Sequence, residues 1–328
     1  MKQVNNNSAL WSIVLAGGEG TRIGSFVQRW LGKQRPKQFC TFVGTRSLLQ
    51  HTLDRAARLA PVEQSVLVVA QTHRQEAMTQ LDGRGVGTVL FQPTNRDTAA
   101  GVFLPLTYIR ARDPHATVVI YPSDHFVFPE EKFLDNVQDA VLAAERLKNR
   151  IVLLGVAPDR LELDYGWILP GARIAHSGKR AVKNVRRFLE KPTAQQADEA
   201  LSSDALWNTM VITAKVDTFW ELGRQCFPGL MERFDRLASA IGTPEEARVL
   251  DLIYRDMPVK NFSADLLQQA PDRVVVTELT DTLWSDWGRP ERIAEALRRI
   301  DRTPAFPLNA LGSPFAPISE KYPLAAEA

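Results

Sequence analysis

A cluster of glycines followed by cations, near the start of the chain, has the residue types that bind phosphate. The segment VLAGGEGTRIGSFVQRWLGKQRPKQF, residues 14–39, places the glycines directly after an apolar run. The cations that follow include Arg22, Lys33, Arg35 and Lys37. Backbone N–H groups of a glycine turn and several cations together suit a triphosphate, which carries about four negative charges. The alternative is a tight connection between a strand and a helix, with solvated cations.

Two better-known phosphate-binding loops do not match this segment. A P-loop requires Gly-Lys followed by Ser or Thr, and that tripeptide does not occur in the chain. A dinucleotide-binding loop reads G-x-G-x-x-G, which Gly18 and Gly20 fit, but Ile23 stands at the third glycine position. The next apolar run, SVLVVA, is followed by Gln71 rather than by the acid that would hold a ribose. The triphosphate interpretation therefore fits this segment best.

An acidic residue follows a second apolar run. Asp124, in YPSDHF, comes just after TVVIYP, residues 117–122. A carboxylate at the carboxyl end of a strand can hold Mg²⁺ against bound phosphates, because this ion prefers oxygen ligands. A turn or helix-capping aspartate is the alternative for Asp124 taken by itself.

Short apolar runs alternate with helical patterns through the first half of the chain and predict the elements that position these residues. The predicted strands are 11–16, 65–70, 87–92, 117–122 and 150–155. The predicted helices are 47–60, 73–81, 97–111 and 129–149. The strands are apolar on both faces, as parallel strands covered by helices are. The predicted fold class is α/β, a doubly wound, mainly parallel sheet with a site at the carboxyl ends of its strands.

The pattern changes after about residue 155. The runs YGWILPG, AVKNVRRFLEK and ALWNTMVITAK alternate more, which favours antiparallel strands. Helices return over 215–256, and RVVVTEL and TLWSDWG predict two late strands before a final helix at 290–300. Pro, Ala, Gly and Ser dominate from Asp301 onward, which indicates an extended or loosely docked tail. One α/β domain with an inserted mixed-sheet lobe fits this order better than two independent domains.

The composition excludes several classes of protein. The chain has 40 Lys and Arg against 38 Asp and Glu, a formal net charge of +2 that is too balanced for a nucleic-acid or membrane-surface protein. Two cysteines, Cys40 and Cys226, cannot form a disulfide framework and suggest a reducing compartment. The N-terminal segment predicts a first strand rather than a signal peptide, and no run approaches the roughly 18 apolar residues of a membrane span. We therefore expect a soluble, cytoplasmic protein without nucleic-acid or membrane partners.

Several motifs that occur in a fixed order carry a resemblance to a known family. LAGGEGTR, PKQF and SLLQHTLDR resemble the signature of sugar-1-phosphate nucleotidyltransferases, and most of all that of the mannose-1-phosphate guanylyltransferases (GDP-mannose pyrophosphorylases). QPTNRDTAAG, VVIYPSDHFV, DYGWI, VRRFLEKPT, WNTMVI and WSDWG follow in the order of that family, over most of residues 11–300. The resemblance implies a Rossmann-like, GT-A-like fold with an inserted sugar-binding lobe, and a catalytic domain that stands alone.

The resemblance also implies how the chain divides and what it does. A nucleotidyltransferase domain would span 1–300, with a nucleotide-binding half at about 10–155 and a sugar-binding half at about 156–300. A Pro- and Ala-rich tail would span 301–328. The implied reaction transfers a nucleotidyl group from an NTP, with GTP favoured, to a sugar 1-phosphate, with mannose 1-phosphate favoured, and releases pyrophosphate. The expected partners are these two substrates, and a homodimer is left open.

Roles for individual residues follow from the matching motifs. The implied nucleotide-binding residues are Leu15, Ala16, Gly17, Gly18, Gly20, Thr21, Arg22, Lys37, Asp97 and Thr98. Arg22 and Lys37 would neutralise the triphosphate and the leaving pyrophosphate. Asp124 and Asp286, the second in WSDWG, would bind the Mg²⁺ cofactor, since one carboxylate leaves the ion mostly hydrated. The implied catalytic residues are Arg22, Lys37, Asp124 and Lys191. A turn aspartate between core aromatics is the alternative for Asp286.

The sugar would be held by four residues. Glu190 and Lys191, in FLEKP, would bind sugar hydroxyls and the sugar phosphate, although an exposed Glu–Lys pair at a strand end is the alternative. Gly166, in DYGWI, would let the backbone approach the sugar, and Asn208, in WNTMVI, would contact it. We interpret His125, next to Asp124, as a packing or hydrogen-bonding residue, because an attacking phosphate oxygen needs no deprotonation.

Two segments depart from the family pattern. Thr209 and Met210 stand where the family has Ser and Gly, and NRDTAAG has Asp97, Ala100 and Gly101 where guanylyltransferases usually have Asn, Pro and Ala. Asp97 could accept hydrogen bonds from the N–H edge of guanine, or it could cap the helix that follows. These departures leave two alternatives open. One is a nucleotidyltransferase for another base and sugar, such as glucose 1-phosphate, and the other is a silent regulator that binds a nucleotide sugar.

One insertion also separates this chain from the family. The segment GSFVQRWLGKQR, residues 24–35, places Arg22 and Lys37 a few residues further apart than is usual. We predict that it forms a helix of its own over the nucleotide.

Overall fold

The computed structural model describes residues 9–311, and that range contains eleven strands and ten α-helices. The strands are β1 (Leu10–Ala16), β2 (Ser65–Ala70), β3 (Thr88–Gln92), β4 (Thr117–Pro122), β5 (Phe126–Phe128), β6 (Ile151–Val156), β7 (Gly166–Ser177), β8 (Arg180–Glu190), β9 (Leu206–Lys215), β10 (Val274–Glu278) and β11 (Leu283–Ser285). The helices are α1 (Gly24–Leu31), α2 (Leu48–Ala56), α3 (Arg74–Leu81), α4 (Asp97–Arg112), α5 (Glu130–Arg146), α6 (Ala194–Leu201), α7 (Val216–Cys226), α8 (Pro228–Ala238), α9 (Glu246–Arg255) and α10 (Pro290–Arg299).

Nine of these strands form one sheet in the order β3-β2-β1-β4-β9-β6-β10-β8-β7. Strands β3, β2, β1 and β4 are parallel neighbours, and β6 and β10 are a second parallel pair. Strand β9 runs antiparallel to both β4 and β6, and β8 and β7 continue the antiparallel part. The predicted α/β fold, a mainly parallel sheet with an antiparallel lobe, is confirmed.

Helices cover both faces of the sheet, and strand β1 shows why. Successive side chains of a strand point to opposite faces. Ile13 is buried in the same apolar cluster as Phe103 of α4, whereas Val14 is buried with Leu53 of α2 and Phe133 of α5. A strand that is apolar on both faces therefore requires helices on both sides, and the predicted doubly wound arrangement is confirmed.

Helix α2 illustrates how local sequence sets helix ends. The Ser47 hydroxyl accepts a hydrogen bond from the Gln50 N–H at 3.2 Å, and the Gln50 side chain accepts one from the Ser47 N–H at 3.0 Å. This reciprocal pair satisfies N–H groups that the first turn leaves free. The helix ends at Ala56 rather than at the predicted residue 60, and the chain then turns into Pro61.

Strand β9 changes one of its partners along its length. Its last residues pair with β4 up to Ile120 and Ile212, whereas Trp207 near its start pairs with Trp167 of β7. The register between β6 and β9 shifts between these two regions. This irregularity of β9 lies at the carboxyl end of β4, which is where ligands bind in open α/β sheets.

A third apolar cluster joins the N-terminal insertion to the C-terminal segment. The helix predicted within residues 24–35 is present as α1, and its Phe26 packs against Phe42 and Phe306. Phe306, Ala310 and Leu311 are buried, so the described part of the tail is docked through these residues and is not loose as we expected, while residues 301–303 are exposed. Residues 312–328 of the predicted tail lie outside the described residues. That α1 covers a nucleotide stays a prediction.

No helix between residues 9 and 311 is both long enough and apolar enough to cross a membrane.

Candidate functional site

The glycine segment forms a fixed loop between β1 and α1. Gly20 has φ +63°, and a Cβ atom there would lie 2.7 Å from the Lys37 backbone nitrogen. Any other residue at this position would therefore be both strained and obstructed. The Gln38 amide, which is 2% exposed, donates hydrogen bonds to the carbonyl oxygens of Ala16 at 3.0 Å and Gly18 at 2.8 Å. Gln38 thus stabilises the conformation of this loop through two hydrogen bonds to its backbone.

A cavity of about 610 Å³ opens at the carboxyl ends of β1, β3 and β4. The nucleotide and metal residues predicted from the sequence that line it are Leu15, Gly17, Gly18, Asp97, Thr98 and Asp124. Gln92, His125 and Met210 also line it. The predicted Ala16, Gly20, Thr21, Arg22 and Lys37 are not among its lining residues, although Gly20 and Lys37 adjoin the loop that forms one wall.

Lys37 is the buried cation of the site. Its side chain is 3% exposed, and its Nζ atom lies 2.9 Å from Oδ2 of Asp124. The same ammonium group donates a hydrogen bond to the backbone oxygen of Asp286. An ammonium group this deeply buried requires such partners, because its desolvation is costly. Lys37 therefore joins the segment after β4 to the segment after β11.

Asp286 is held by a buried network of hydrogen bonds. Its Oδ1 atom accepts from the Tyr165 hydroxyl at 2.5 Å, from Arg292 Nη1 at 2.8 Å and from the Gly288 N–H at 2.9 Å. Arg292, 6% exposed, also donates to the carboxylate of Glu162, which is 4% exposed. The position of the Asp286 carboxylate is thus set by side chains from α10 and from the segment before β7.

The electrostatic surroundings keep Asp286 ionised. Burial raises the pKa of its carboxyl group, but the Lys37 charge and the hydrogen bonds from Tyr165 and Gly288 outweigh burial and hold that pKa well below its usual range. A carboxylate in this environment carries its negative charge at any physiological pH.

Arg22 is the exposed cation on the other side of Asp286. Its side chain is 50% exposed, and Nη2 lies 3.0 Å from Oδ2 of Asp286 while Nη1 lies 3.8 Å from Asp164. The guanidinium group remains accessible from solvent. The structure therefore brings Arg22 and Lys37 of the glycine segment together with Asp124 and Asp286 from two distant segments.

Asp124 is ionised and its neighbour His125 is neutral. Burial raises the pKa of Asp124, but the Lys37 charge and its hydrogen bond outweigh burial and lower that pKa. Burial lowers the pKa of His125, Lys37 lowers it further, and Asp124 opposes them without reversing the shift. The His125 ring packs edge-on against Trp284, with centroids 5.2 Å apart. This packing agrees with the interpretation of His125 as a packing residue.

The residues predicted for the sugar come from β7, β8 and β9. Gly166 pairs with Glu190 across β7 and β8, and a Cβ atom at Gly166 would lie 2.9 Å from the Phe188 ring and 3.0 Å from Glu190 Oε2. Burial raises the pKa of Glu190, Lys191 lowers it, and the charge of Asp97 raises it. The charges of Glu190 and Asp97 therefore influence each other, although Gly166, Glu190 and Lys191 are not among the residues that line the cavity. Lys191 is exposed.

Asn208 is 6% exposed and both ends of its amide are engaged by Met210. Its Oδ1 atom accepts from the Met210 N–H at 3.1 Å, and its Nδ2 atom donates to the Met210 sulfur at 3.3 Å. Met210 lines the cavity with φ +57°, a conformation that favours glycine. The departure from the family pattern at this position is therefore a bulky side chain on a glycine-like backbone, beside the predicted sugar contact.

Asp97 has φ +63° and is the first residue of α4. Its Oδ1 atom accepts from the Thr98 N–H at 2.5 Å and from Asn261 Nδ2 at 3.3 Å. The carboxylate thus satisfies an N–H group of the first helical turn, as a helix-start residue does. Because Asp97 also lines the cavity, the base-binding interpretation stays a prediction beside the capping one.

The motifs did not identify four residues that shape the site: Gln38, Gln92, Tyr165 and Arg292. Gln38 and Gln92 lie within the family motifs PKQF and QPTNRDTAAG, and their place in those motifs is a sequence signal for a role at the site. Tyr165 lies in DYGWI, directly before the glycine that this motif singles out. Arg292 lies in α10, an amphipathic helix that also carries exposed arginines. No local sequence pattern distinguishes Arg292 from them.

Comparison with known proteins agrees with the family that the sequence motifs indicate. A sequence model of the family described as nucleotidyl transferase matches residues 11–303. Mannose-1-phosphate guanylyltransferase from Escherichia coli is 25% identical over 288 residues, which are 86% of this chain and 60% of that protein. Xanthan biosynthesis protein XanB from Xanthomonas campestris pv. campestris strain B100 is 29% identical over 280 residues, 84% of this chain and 57% of that protein.

A solved structure shares the arrangement of elements. The structure described as mannose-1-phosphate geranyltransferase from Thermus thermophilus has a TM-score of 0.73 at 28% identity, covering 87% of this chain and 79% of that one. The chain spans about 60% of the length of the E. coli relative. The matched region includes both the cavity and the strands β7 to β9.

Proposed function

We propose that this chain, which belongs to the nucleotidyl transferase family, transfers a guanylyl group from GTP to mannose 1-phosphate and releases pyrophosphate. The observation that carries the proposal is the buried Lys37 ammonium between Asp124 and Asp286, next to a cavity with a glycine loop in its wall. Such a group fits phosphoryl transfer, in which catalysis rests mostly on positioning and charge neutralisation. The names of the relatives support the choice of sugar and base.

The reaction needs little covalent chemistry from the protein. An oxygen of the sugar phosphate attacks the α-phosphorus of the triphosphate in line with the departing pyrophosphate. One P–O bond forms, the bond from the α-phosphorus to the bridging oxygen breaks, and its electron pair leaves on pyrophosphate. The attacking oxygen is already ionised at neutral pH, so no general base is required. A neutral, buried His125 is consistent with this mechanism.

Arg22 and Lys37 supply the positive charge for the phosphates. Both cations are paired with carboxylates, Lys37 with Asp124 at 2.9 Å and Arg22 with Asp286 at 3.0 Å. A triphosphate in the cavity would compete with these carboxylates for the two cations, because it carries more charge and offers more acceptor oxygens. We infer that Arg22, which is half exposed, moves to the β- and γ-phosphates, while the buried Lys37 stays near the α-phosphate.

The carboxylates of Asp124 and Asp286 have the chemistry of Mg²⁺ ligands. Both are held ionised by their surroundings, and Lys37 contacts the Asp124 carboxylate and the backbone oxygen of Asp286. Two carboxylates suit an ion that takes its remaining ligands from phosphates and water. When bound, Mg²⁺ would offset phosphate charge and polarise the phosphoryl group under attack. Tyr165 and Arg292 would hold the Asp286 carboxylate in place for the ion.

Base and sugar would be recognised on opposite sides of the crevice. The Gln92 side chain lies beside the glycine loop, with its Oε1 atom 2.7 Å from where a Gly17 Cβ would be. The Gln92 amide and the Asp97 carboxylate offer acceptors for the N–H groups of guanine. Across the crevice, Glu190 would accept from sugar hydroxyls and Lys191 would align the sugar phosphate.

The direct test is a matrix of nucleoside triphosphates against sugar 1-phosphates with Mg²⁺, read by pyrophosphate release. We expect the highest kcat/KM for GTP with mannose 1-phosphate. Arg22→Ala and Asp124→Ala should fold normally and lose at least about 100-fold in rate, because each removes charge stabilisation from the transition state. A near-normal rate in either variant would contradict the assignment.

A second candidate, a regulator that binds a nucleotide sugar without turning it over, is favoured by Met210 in the cavity wall. Absence of pyrophosphate release across the matrix, with nucleotide-sugar binding intact, would favour it. The cytoplasmic location and the homodimer stay predictions.

A further inference from the structure

Met210 combines a glycine-like backbone with a long side chain at the edge of the cavity. Its φ of +57° is in the left-handed region, which residues other than glycine rarely adopt. Strained residues of this kind occur preferentially at ligand sites, where the surrounding structure holds them. The strain at Met210 therefore suggests that its side chain has a role at the site.

The Met210 side chain is held from two sides. Its sulfur accepts hydrogen bonds from Asn208 Nδ2 at 3.3 Å and from Ser263 Oγ at 3.4 Å. Each of these bonds is weak, because a thioether is a poor acceptor. Two donors on one sulfur nevertheless restrict an otherwise flexible side chain. The Met210 side chain therefore forms part of the cavity wall in a defined position.

Its place in the sheet puts this wall between two groups of residues. Strand β9 leaves β4 at Ile212 and pairs with β7 at Trp207, so Met210 lies in the irregular stretch between these pairings. On one side it lines the cavity that also contains Asp124. On the other side it engages the amide of Asn208. A sugar that reaches toward Asn208 while its phosphate lies near Asp124 must pass alongside the Met210 side chain.

We propose that Met210 determines acceptor specificity by excluding sugar 1-phosphates that carry a bulky substituent, such as an N-acetyl group, on the carbon facing it. The proposal rests on the nucleotidyl transfer proposed above. A plain hexose fits beside the thioether, whereas an acylated amino sugar collides with it. One methylene of misfit in an enclosed pocket changes kcat/KM by roughly 10- to 200-fold, so a side chain of this length is sufficient for strong discrimination.

The test compares Met210→Gly and Met210→Ala with the wild type, using Met78→Ala as the control. Met78 lies on α3 and is 49% exposed, so its substitution removes a methionine without touching the cavity. Two quantities are measured for a hexose and for its N-acetylated amino counterpart. One is kcat/KM with the sugar 1-phosphates, by pyrophosphate release. The other is the dissociation constant of the matching nucleoside diphosphate sugars, by calorimetry, which needs no turnover.

We expect the preference for the hexose to fall by at least about tenfold in both Met210 variants, in rate and in binding, and to stay unchanged in Met78→Ala. Met210→Gly should also unfold at a higher temperature than Met210→Ala, because glycine adopts the positive φ without strain. This comparison shows that the variants fold and that the strain is real.

Two results would overturn the proposal. One is a hexose preference in binding that stays within about twofold of the wild type in both variants, well under the roughly 10- to 200-fold that one methylene of misfit produces. The other is a change in the discrimination between nucleotide bases or riboses instead of sugars. Loss of the proposed transfer reaction is a separate outcome, seen as absence of pyrophosphate release in the wild type. The binding measurement still decides the role of Met210 in that case.

Discussion

Lys37 concentrates the chemistry of the site in one side chain. Its side chain is 3% exposed. Its ammonium group contacts the Asp124 carboxylate in one segment and the Asp286 backbone oxygen in another. An ammonium group is a compact point charge that changes partners easily, which suits contact first with carboxylates and then with phosphate. At the residue scale, the site is a set of paired charges, and a bound triphosphate would compete with the carboxylates for the two cations.

Substituting Lys37 tests this view. Lys37→Met keeps most of the side-chain volume but removes the charge, and we expect pyrophosphate release to fall by about 100- to 1,000-fold. Lys33→Met, an exposed lysine in the same segment, is the matched control and should leave the rate within about twofold. A similar loss in both variants would mean that general positive charge, and not the buried position, matters.

The raised pKa of Glu190 makes the stability of the folded protein depend on pH. Its pKa in the folded protein is raised by burial and by Asp97, so between the unfolded and folded pKa values the folded state binds more protons than the unfolded state. Stability must then fall as pH rises through that window, which starts at the ordinary glutamate value. Glu190→Gln should remove this component, so its stability relative to the wild type should increase as pH rises from acid to neutral. Urea unfolding across this pH range is the measurement, and a constant difference would contradict the expectation.

At the scale of elements, Arg292 links α10 to the site by polar contacts. Arg292 of α10 connects the buried carboxylates of Glu162 and Asp286, and its guanidinium lies 5.0 Å from the centre of the Tyr165 ring. Helix α10 thus fixes the segment that follows β11 and, through it, the backbone oxygen that Lys37 contacts. Packing of this helix and geometry of the site are coupled.

Removing the charge of Arg292 should therefore affect stability strongly. Arg292→Met leaves two buried carboxylates without their shared cation, and we expect a loss of about 3–5 kcal/mol in the free energy of unfolding. Arg299→Met on the same helix is the control, because Arg299 is 49% exposed and its ion pairs with Asp159 and Glu295 are at the surface. Its loss should be below about 1 kcal/mol. Urea denaturation of the three proteins decides between these outcomes.

At the scale of the whole molecule, the chain closes on itself through the third apolar cluster. Helix α1, inserted near the start, packs against residues 301–311 near the end, and Arg29 donates a hydrogen bond to the Ala310 carbonyl oxygen at 3.0 Å. The glycine loop and Arg22 lie directly before α1, so this closure supports the part of the site that would bind the triphosphate.

Removing the aromatic ring of Phe306 tests how much this packing contributes to stability. Phe306 contacts Phe26 at a centroid distance of 5.1 Å and Trp30 at 5.5 Å. Phe306→Ala should cost about 3–5 kcal/mol of stability, because it leaves a cavity among aromatic rings. Leu308→Ala, at a side chain that is 64% exposed, should change stability by no more than about 0.5 kcal/mol. If both variants are equally stable, the segment around residue 306 does not contribute to the fold.

The α/β class, the doubly wound sheet and most helices could be predicted because each rests on local patterns. Strand β1 is apolar on both faces, and the capped start of α2 is visible as Ser47 and Gln50. The position of β9 between β4 and β6 could not be predicted, because strand order depends on long-range pairing that local alternation does not encode. The packed tail was missed for the same reason, since Phe306 finds its partners far away in the chain.

The amino-acid order alone contains the family motifs, and with them the residue types of the site: a glycine turn, cations at Arg22 and Lys37, and acids at Asp124 and Asp286. The folded structure is needed to show how these charges are arranged, that Arg292 and Tyr165 hold Asp286, and that Met210 lies in the cavity wall on a strained backbone. The physical reason is that burial and electrostatic pairing depend on which distant segments meet. Spacing along the chain specifies which groups are available, and folding alone sets their distances and their pKa values.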